Sequence, residues 1–201
     1  MQGVLVAIAS VVLGASVVVA QQNAPAPAAP IQADGWTTLF DGKTLKGWNV
    51  IGTANWEVVD GAIQASSGNG YLVTPMSYGD VQVIVEFWAD PDANSGVFLR
   101  LMDLNKISAM VGYEVQIFDK RPDPEFRTGS VTFIAKPAAM IDAANRWNTF
   151  DITVRGPRII VDMNGTRTVD VQNTMFTRAG PIALQRTAGM IKFRSVRVRT
   201  P

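Results

Sequence analysis

The sequence predicts an all-β fold of many short antiparallel strands, and three observations predict it. From Gly35 onward apolar and polar residues alternate with a period of two. Turn residues interrupt that alternation about every eight to twelve positions, and one interruption is Asn164-Gly165, the strongest short hairpin signal. No stretch after Gly35 sustains a helical period and no strand–helix–strand alternation is present, so a sandwich, jelly roll or barrel is expected.

In chain order, the first segment reads as an address. Val4 to Ala20 is uncharged and mostly apolar and ends in Val18-Val19-Ala20, which suits a signal-peptidase site, so residues 1–20 are expected to be a cleaved secretory signal. No Lys or Arg precedes Lys43, and a run of this length sits at the lower limit for spanning ~30 Å of hydrocarbon, so a retained anchor is the alternative. Residues 21–33 (QQNAPAPAAPIQA) form an Ala/Pro-rich linker expected to be extended. The domain then runs over residues 34–201 as one unit without internal repeats.

Within it Val81, Val83, Val85 and Phe87 alternate with Gln82, Ile84, Glu86 and Trp88, and Tyr113, Val115 and Ile117 with Glu114, Gln116 and Phe118. Phe150, Ile152 and Val154 form a third such run. Ile159, Val161 and Met163 lead into the Asn164-Gly165 turn, from which Thr168 to Val171 return. Ile182/Leu184 and Phe193/Val196/Val198 close the chain, and Pro137 to Asn145 has room for a short helical turn. From Val171 to the end there are six Lys or Arg residues and no acid; these read as solvent-facing positions of an edge strand, where charge discourages strand-to-strand aggregation.

Composition removes much chemistry. With 201 residues, 47% of them hydrophobic, the chain can build one substantial core. Seventeen acidic and 18 basic side chains leave a net charge of +1, which argues against a general attraction to nucleic acid or anionic membrane. The absence of cysteine excludes disulfides, thiolate nucleophiles and Cys-ligated metals. The absence of histidine excludes Ser-His and Cys-His triads and His-ligated metals.

The polar strand positions carry the functional signal. Glu86 and Trp88 share one face of their strand, Glu114 and Gln116 share one face of theirs, and Arg100 follows Asn94-Ser95-Gly96 on the face opposite Val97 and Leu99. A sheet lined by carboxylate, amide, guanidinium and indole suits a sugar, whose hydroxyls take hydrogen bonds while its apolar face stacks on a ring. The plainer reading is that these are ordinary solvent-facing residues. Trp36, Trp48, Trp56 and Trp147 read as core or sheet-edge packing, with Trp88 the better stacking residue.

Seven motifs in order add a resemblance. They are Trp36 to Trp48 with its Gly47-Trp48 pair, Trp56 to Gly61, Asn94 to Arg100, Gly112 to Asp119, Arg146-Trp147-Asn148, Met163-Asn164-Gly165, and Gly180 to Gln185 followed by Ile191 to Arg194. Together they resemble the family of 3-keto-glucoside 1,2-lyases and 3-keto-2-hydroxy-glucal hydratases, also described as 3-keto-disaccharide hydrolases (DUF1080). The resemblance implies a concanavalin A-like jelly-roll sandwich of two antiparallel sheets, export from a bacterium to the periplasm or medium, and an oligosaccharide or glycoside substrate oxidised at C3. With the net charge of +1 no nucleic-acid partner is expected, and with the signal cleaved no membrane span is expected.

A ketone at C3 acidifies the C2–H bond, so a base can form an enolate that expels the C1 substituent, after which water adds back. For that chemistry Glu114, inside the most distinctive motif, is the expected base or metal ligand, with a plain sugar hydrogen-bonding role as its alternative. Arg100 would hold the 3-keto oxygen or enolate, unless it only pairs with Glu114 or Glu86. Gln116 and Gln185 suit hydroxyl recognition. Glu86 and Asp119 are further carboxylates, the latter at a strand end where it can cap a turn, and Lys136 is an electrophile or a solvated loop lysine. Thr187 and Ser195 stand where the family usually carries a histidine and an asparagine. Any metal would therefore need oxygen ligands, which favours Ca²⁺, Mg²⁺ or Mn²⁺. A carbohydrate-binding domain on the same scaffold, without catalysis, is the alternative function.

Overall fold

The computed structural model describes residues 35–200; the expected signal at 1–20 and linker at 21–33 lie outside them. The described residues form thirteen strands. They are β1 (Thr37–Thr38), β2 (Asn49–Gly52), β3 (Glu57–Val59), β4 (Ala62–Ala65), β5 (Gly70–Tyr78), β6 (Val81–Ala89), β7 (Asn94–Leu99), β8 (Tyr113–Ile117), β9 (Trp147–Arg155), β10 (Arg158–Met163), β11 (Thr166–Gln172), β12 (Gly180–Ala188) and β13 (Ile191–Arg199). An eight-stranded sheet runs β11-β10-β9-β6-β13-β4-β3, with β1 also on β13, and a five-stranded sheet runs β2-β5-β12-β7-β8. Their ladders are antiparallel throughout, which gives the expected two-sheet sandwich.

The alternation read from the sequence becomes the core. Val81, Val83, Val85 and Phe87 of β6, with Phe150, Ile152 and Val154 of β9, point inward and meet Leu72, Val97, Val115 and Leu184 of the other sheet. Phe87 and Phe150 lie with ring centroids 4.7 Å apart. Each such side chain contributes about 1.5–3 kcal/mol on burial. Phe193 and Val196 are both buried although three positions apart, which a strict period of two forbids; a bulge between Phe193 and Ser195 resets the alternation. Asn164 and Gly165 take positive φ values of 52° and 80° and join β10 to β11 as a two-residue hairpin, with Met163 opposite Thr166.

Two expectations fail. The segment Pro137 to Asn145 contains no helix; the single helical turn among the described residues is a 3₁₀ turn over Pro124–Phe126, capped by the Asp123 side chain. The basic C-terminal residues also do not lie on an edge. β13 is interior, between β6 and β4. Its outward cations rest on tryptophans instead: Lys192 lies 5.3 Å from the Trp88 ring, Arg194 4.3 Å from Trp147, and Arg199 4.8 Å from Trp36. Trp36 and Trp48 are buried, whereas Trp147 is partly open on this outer face.

Candidate functional site

Strand pairing assembles one polar cluster on the outer face of the five-stranded sheet. Tyr71 of β5 lies opposite Gln185 of β12, Gln185 opposite Gly96 of β7, and Gly96 opposite Gln116 of β8. One step along the same face, Val73, Ala183, Phe98 and Glu114 form the next row. Beyond β8 the chain from Gly129 to Thr132 continues the pairing: Gln116 N–H donates to the Ser130 carbonyl at 3.1 Å and Thr132 N–H to the Glu114 carbonyl at 3.0 Å. This brings Ser130 and Thr132 beside Gln116 and Glu114. Leu101, Ile107 and Val111 pack over Val73, Phe98 and Ala183, so the face is roofed next to the cluster.

Glu114 is the buried carboxyl of this arrangement. It is only 7% exposed. Burial pushes its carboxyl up to about 7 from an ordinary 4.5, against a smaller lowering by the neighbouring Thr132 hydroxyl. That hydroxyl still makes no hydrogen bond of full geometry. Gly96 gives the carboxyl its room, because a Cβ there would stand 3.1 Å from Glu114 Oε1 and 3.2 Å from its Cγ. The Tyr71 hydroxyl donates to the Ile107 carbonyl at 3.1 Å and accepts from Gln185 Nε2 at 3.4 Å. Burial raises the tyrosine's pKa, Gln185 lowers it and the charge of Glu114 raises it further. Ser130 Oγ and Gln185 Oε1 are buried without partners, and the Thr132 hydroxyl has only the Glu114 carboxyl near it; such groups cost free energy unless a water or ligand satisfies them. A carboxyl raised toward neutrality, on the same sheet face as unpaired hydroxyl and amide oxygens, suits proton transfer to and from a polyhydroxylated molecule.

Of the residues expected at the site, Glu114, Gln116 and Gln185 come together and the others do not. Arg100 has φ +52°, which ends β7 and turns its side chain out of the strand alternation. The guanidinium is 3% exposed and donates to the carbonyls of Gly79, Gly156 and Phe176 and to Asp80 Oδ1, all at 2.9–3.1 Å. Glu86 and Trp88 lie on the outer face of the other sheet, where Glu86 accepts from Arg194 at 2.6 Å. Asp119 fastens a loop, accepting from the Thr128 hydroxyl at 2.5 Å and from the Ala143 and Ala144 N–H groups at 2.8 and 2.9 Å. Lys136 is exposed, one residue past the Val131–Ala135 bridge.

No group of three or more acidic side chains among the described residues is placed to hold a metal, so Glu114 gains no carboxylate cage. A concavity of about 280 Å³ on the outer face of the eight-stranded sheet is lined by Val81, Gln82, Thr153, Val154, Arg155 and Arg199 and contains no acid–base group suited to the chemistry. Sequence reading missed Tyr71, Gly96, Ser130 and Thr132. Their side chains look unremarkable in their own segments and gain meaning only through the register of neighbouring strands.

Comparison with known proteins bears on the family and the fold. The family model described as a 3-keto-alpha-glucoside-1,2-lyase-like domain matches residues 35–199. A 3-keto-disaccharide hydrolase of Bacteroides thetaiotaomicron is 32% identical over 82 residues, a match covering 34% of this chain and 28% of that protein. The matched segment is thus well under a third of that relative's length. Among solved structures, a protein of Parabacteroides distasonis provisionally described as a glycosyl hydrolase has a TM-score of 0.75 at 18% identity, covering 84% of this chain and 95% of its own. The carbohydrate-binding module CBM66 of Bacillus subtilis has a TM-score of 0.60 at 18% identity, covering 83% and 96%. At these identities the structural likenesses establish the jelly-roll fold alone.

Proposed function

The chain belongs to the 3-keto-alpha-glucoside-1,2-lyase-like family, and from that premise we propose that it is an enzyme cleaving 3-keto-glycosides, with Glu114 as its base. The supporting observation is the carboxyl of Glu114, raised to about 7 by burial beside a cluster of unpaired polar atoms. A base of that strength suits the C2 proton of a 3-keto sugar, which the adjacent ketone acidifies. Glu114 takes the proton from C2, the electron pair passes into the C2–C3 enolate, and its collapse breaks the C1–O bond. The protonated Glu114 then has a proton to return to the leaving oxygen. Gln185 and Gln116 orient hydroxyls, and the Tyr71 ring closes the side of the cluster away from β8. No histidine takes part, since the chain contains none. This differs from ordinary glycosidases, which need two carboxylates flanking the scissile bond.

The absence of histidine also favours a second reading, a binding domain on the same scaffold without turnover. One experiment separates the two: incubate the protein with a 3-keto disaccharide and follow released reducing sugar, for the wild type and Glu114→Gln. The enzymatic reading expects turnover reduced about 10²–10⁴-fold in the variant. Near wild-type turnover by Glu114→Gln removes Glu114 from the mechanism, and sugar binding without wild-type turnover favours the binding domain. We also propose that the protein acts outside the cytoplasm, supported by the uncharged run Val4 to Ala20 and the Ala/Pro segment after it. A mature form whose intact mass includes Met1 would contradict export by cleavage.

A further inference from the structure

The turn beyond β8 carries an aromatic residue in a conformation that aromatic residues avoid. Val131 and Ala135 exchange both backbone hydrogen bonds at 2.9 Å, and Ile134 N–H also donates to the Val131 carbonyl at 2.9 Å, which closes a tight turn with Phe133 near its apex. Phe133 has φ +63°. A positive φ at that turn position ordinarily selects glycine or asparagine, and a bulky side chain there holds strain that the rest of the structure must sustain. Burial does not offset it, since Phe133 is 52% exposed. Its ring meets that of Phe126 edge-on, with centroids 5.1 Å apart at 81°. The Arg121 guanidinium lies 5.2 Å from the Phe126 ring and 5.9 Å from that of Phe118. The result is an exposed aromatic ledge with a cation at its end.

The ledge adjoins Glu114. Thr132, the residue before Phe133, pairs through its backbone with Glu114, and its own hydroxyl is buried with only that carboxyl near it. We propose that Phe133 is a stacking platform for the sugar ring released in the reaction, with Arg121 offering donors to that ring's hydroxyls. The inference rests on Glu114 being the base. The buried groups Glu114, Gln185 and Tyr71 then take the oxidised ring, and the second ring of a disaccharide lies toward the turn beyond β8, where Phe133 is exposed. The apolar C–H face of a pyranose and the face of an aromatic ring are complementary surfaces.

The test compares wild type with Phe133→Gly on a 3-keto disaccharide and on a methyl 3-keto-glucoside, whose leaving group has no ring. Glycine suits the backbone conformation, so the variant should fold with equal or higher Tm. The expected result is a kcat/KM about tenfold lower for the disaccharide, carried mainly by KM, with the methyl glycoside within about twofold of wild type. Equal losses on both substrates, or no loss on the disaccharide, would overturn the platform. If the wild type cleaves neither substrate, the catalytic reading has failed and calorimetric titration with the same 3-keto disaccharide decides the platform separately. Binding about tenfold weaker in Phe133→Gly supports it, and equal affinity overturns it.

Discussion

As the proposed base, Glu114 is expected to move stability and activity in opposite directions. Its carboxyl has a value of about 7 in the folded chain against 4.5 without burial. Between those values the native state holds more protons than the unfolded state, so stability falls as pH rises through the window and stays reduced above it. At 1.36 kcal/mol per pKa unit the loss is at most about 3 kcal/mol. Activity that depends on Glu114 as a base should rise over the same interval. The expected outcome is a wild-type Tm that declines from pH 5 to pH 8 while kcat/KM increases, and a Glu114→Gln variant whose Tm is flatter. Parallel Tm profiles for the two proteins would show that the carboxyl is not held neutral by burial. At this scale the sequence was informative about Glu114 and Gln116, because alternation with Tyr113, Val115 and Ile117 places them on one face. It said nothing of what surrounds them, since Tyr71, Gly96 and Thr132 are contributed by three other segments of chain.

At the scale of elements, Arg100 shows where alternation stops being a guide. Continued one residue past β7, the pattern would put its side chain beside Phe98 on the face of Glu114; the left-handed backbone at Arg100 sends it elsewhere. There it joins the Gly79-Asp80 turn between β5 and β6, the Gly156 turn between β9 and β10, and the segment at Phe176. These turns come from both sheets, so one buried guanidinium fastens the end of the sandwich. Removing it leaves three carbonyls short of a donor, whereas Asp80 is 43% exposed and keeps the Gly156 N–H; leaving such buried acceptors unsatisfied costs about 1–3 kcal/mol. Arg100→Leu should therefore lower stability in chemical denaturation by that amount, while kcat/KM measured well below its Tm stays within about threefold of wild type. A variant of normal stability with activity abolished would return Arg100 to the reaction. Bulges are the other device hidden from periodicity. The three-residue step from Phe193 to Val196 is visible in the sequence, but the partner strand that absorbs it is not.

For the whole molecule, the all-β class was legible because both sheets bury one face and strand alternation reports that burial directly. Which strands neighbour one another was not, because nothing local distinguishes β6 from β8 as a home for groove residues. Hence the expected groove of Glu86, Trp88, Glu114 and Gln116 divides between two surfaces that point away from each other, with sheet backbones about 10 Å apart between them. The outer face of the eight-stranded sheet has its own internal satisfaction: Glu86 takes a hydrogen bond from Arg194, and Lys192 and Arg194 rest on Trp88 and Trp147. Contacts of this kind on a partly solvated face are each worth about 1 kcal/mol or less. Replacing Glu86 by Gln and Trp88 by Ala should thus cost little stability and leave turnover of a 3-keto disaccharide within about twofold. On the opposite face, Gln185→Ala removes a group that touches Tyr71 and holds an unpaired oxygen in the cluster, so its kcat/KM should fall at least about tenfold with the fold retained. Steady-state kinetics of the three variants, with circular dichroism as a control for folding, compares the two surfaces directly. Loss of turnover on substitution of Glu86 or Trp88, with Gln185→Ala unaffected, would place the chemistry on the eight-stranded sheet and move the active site to the other side of the sandwich.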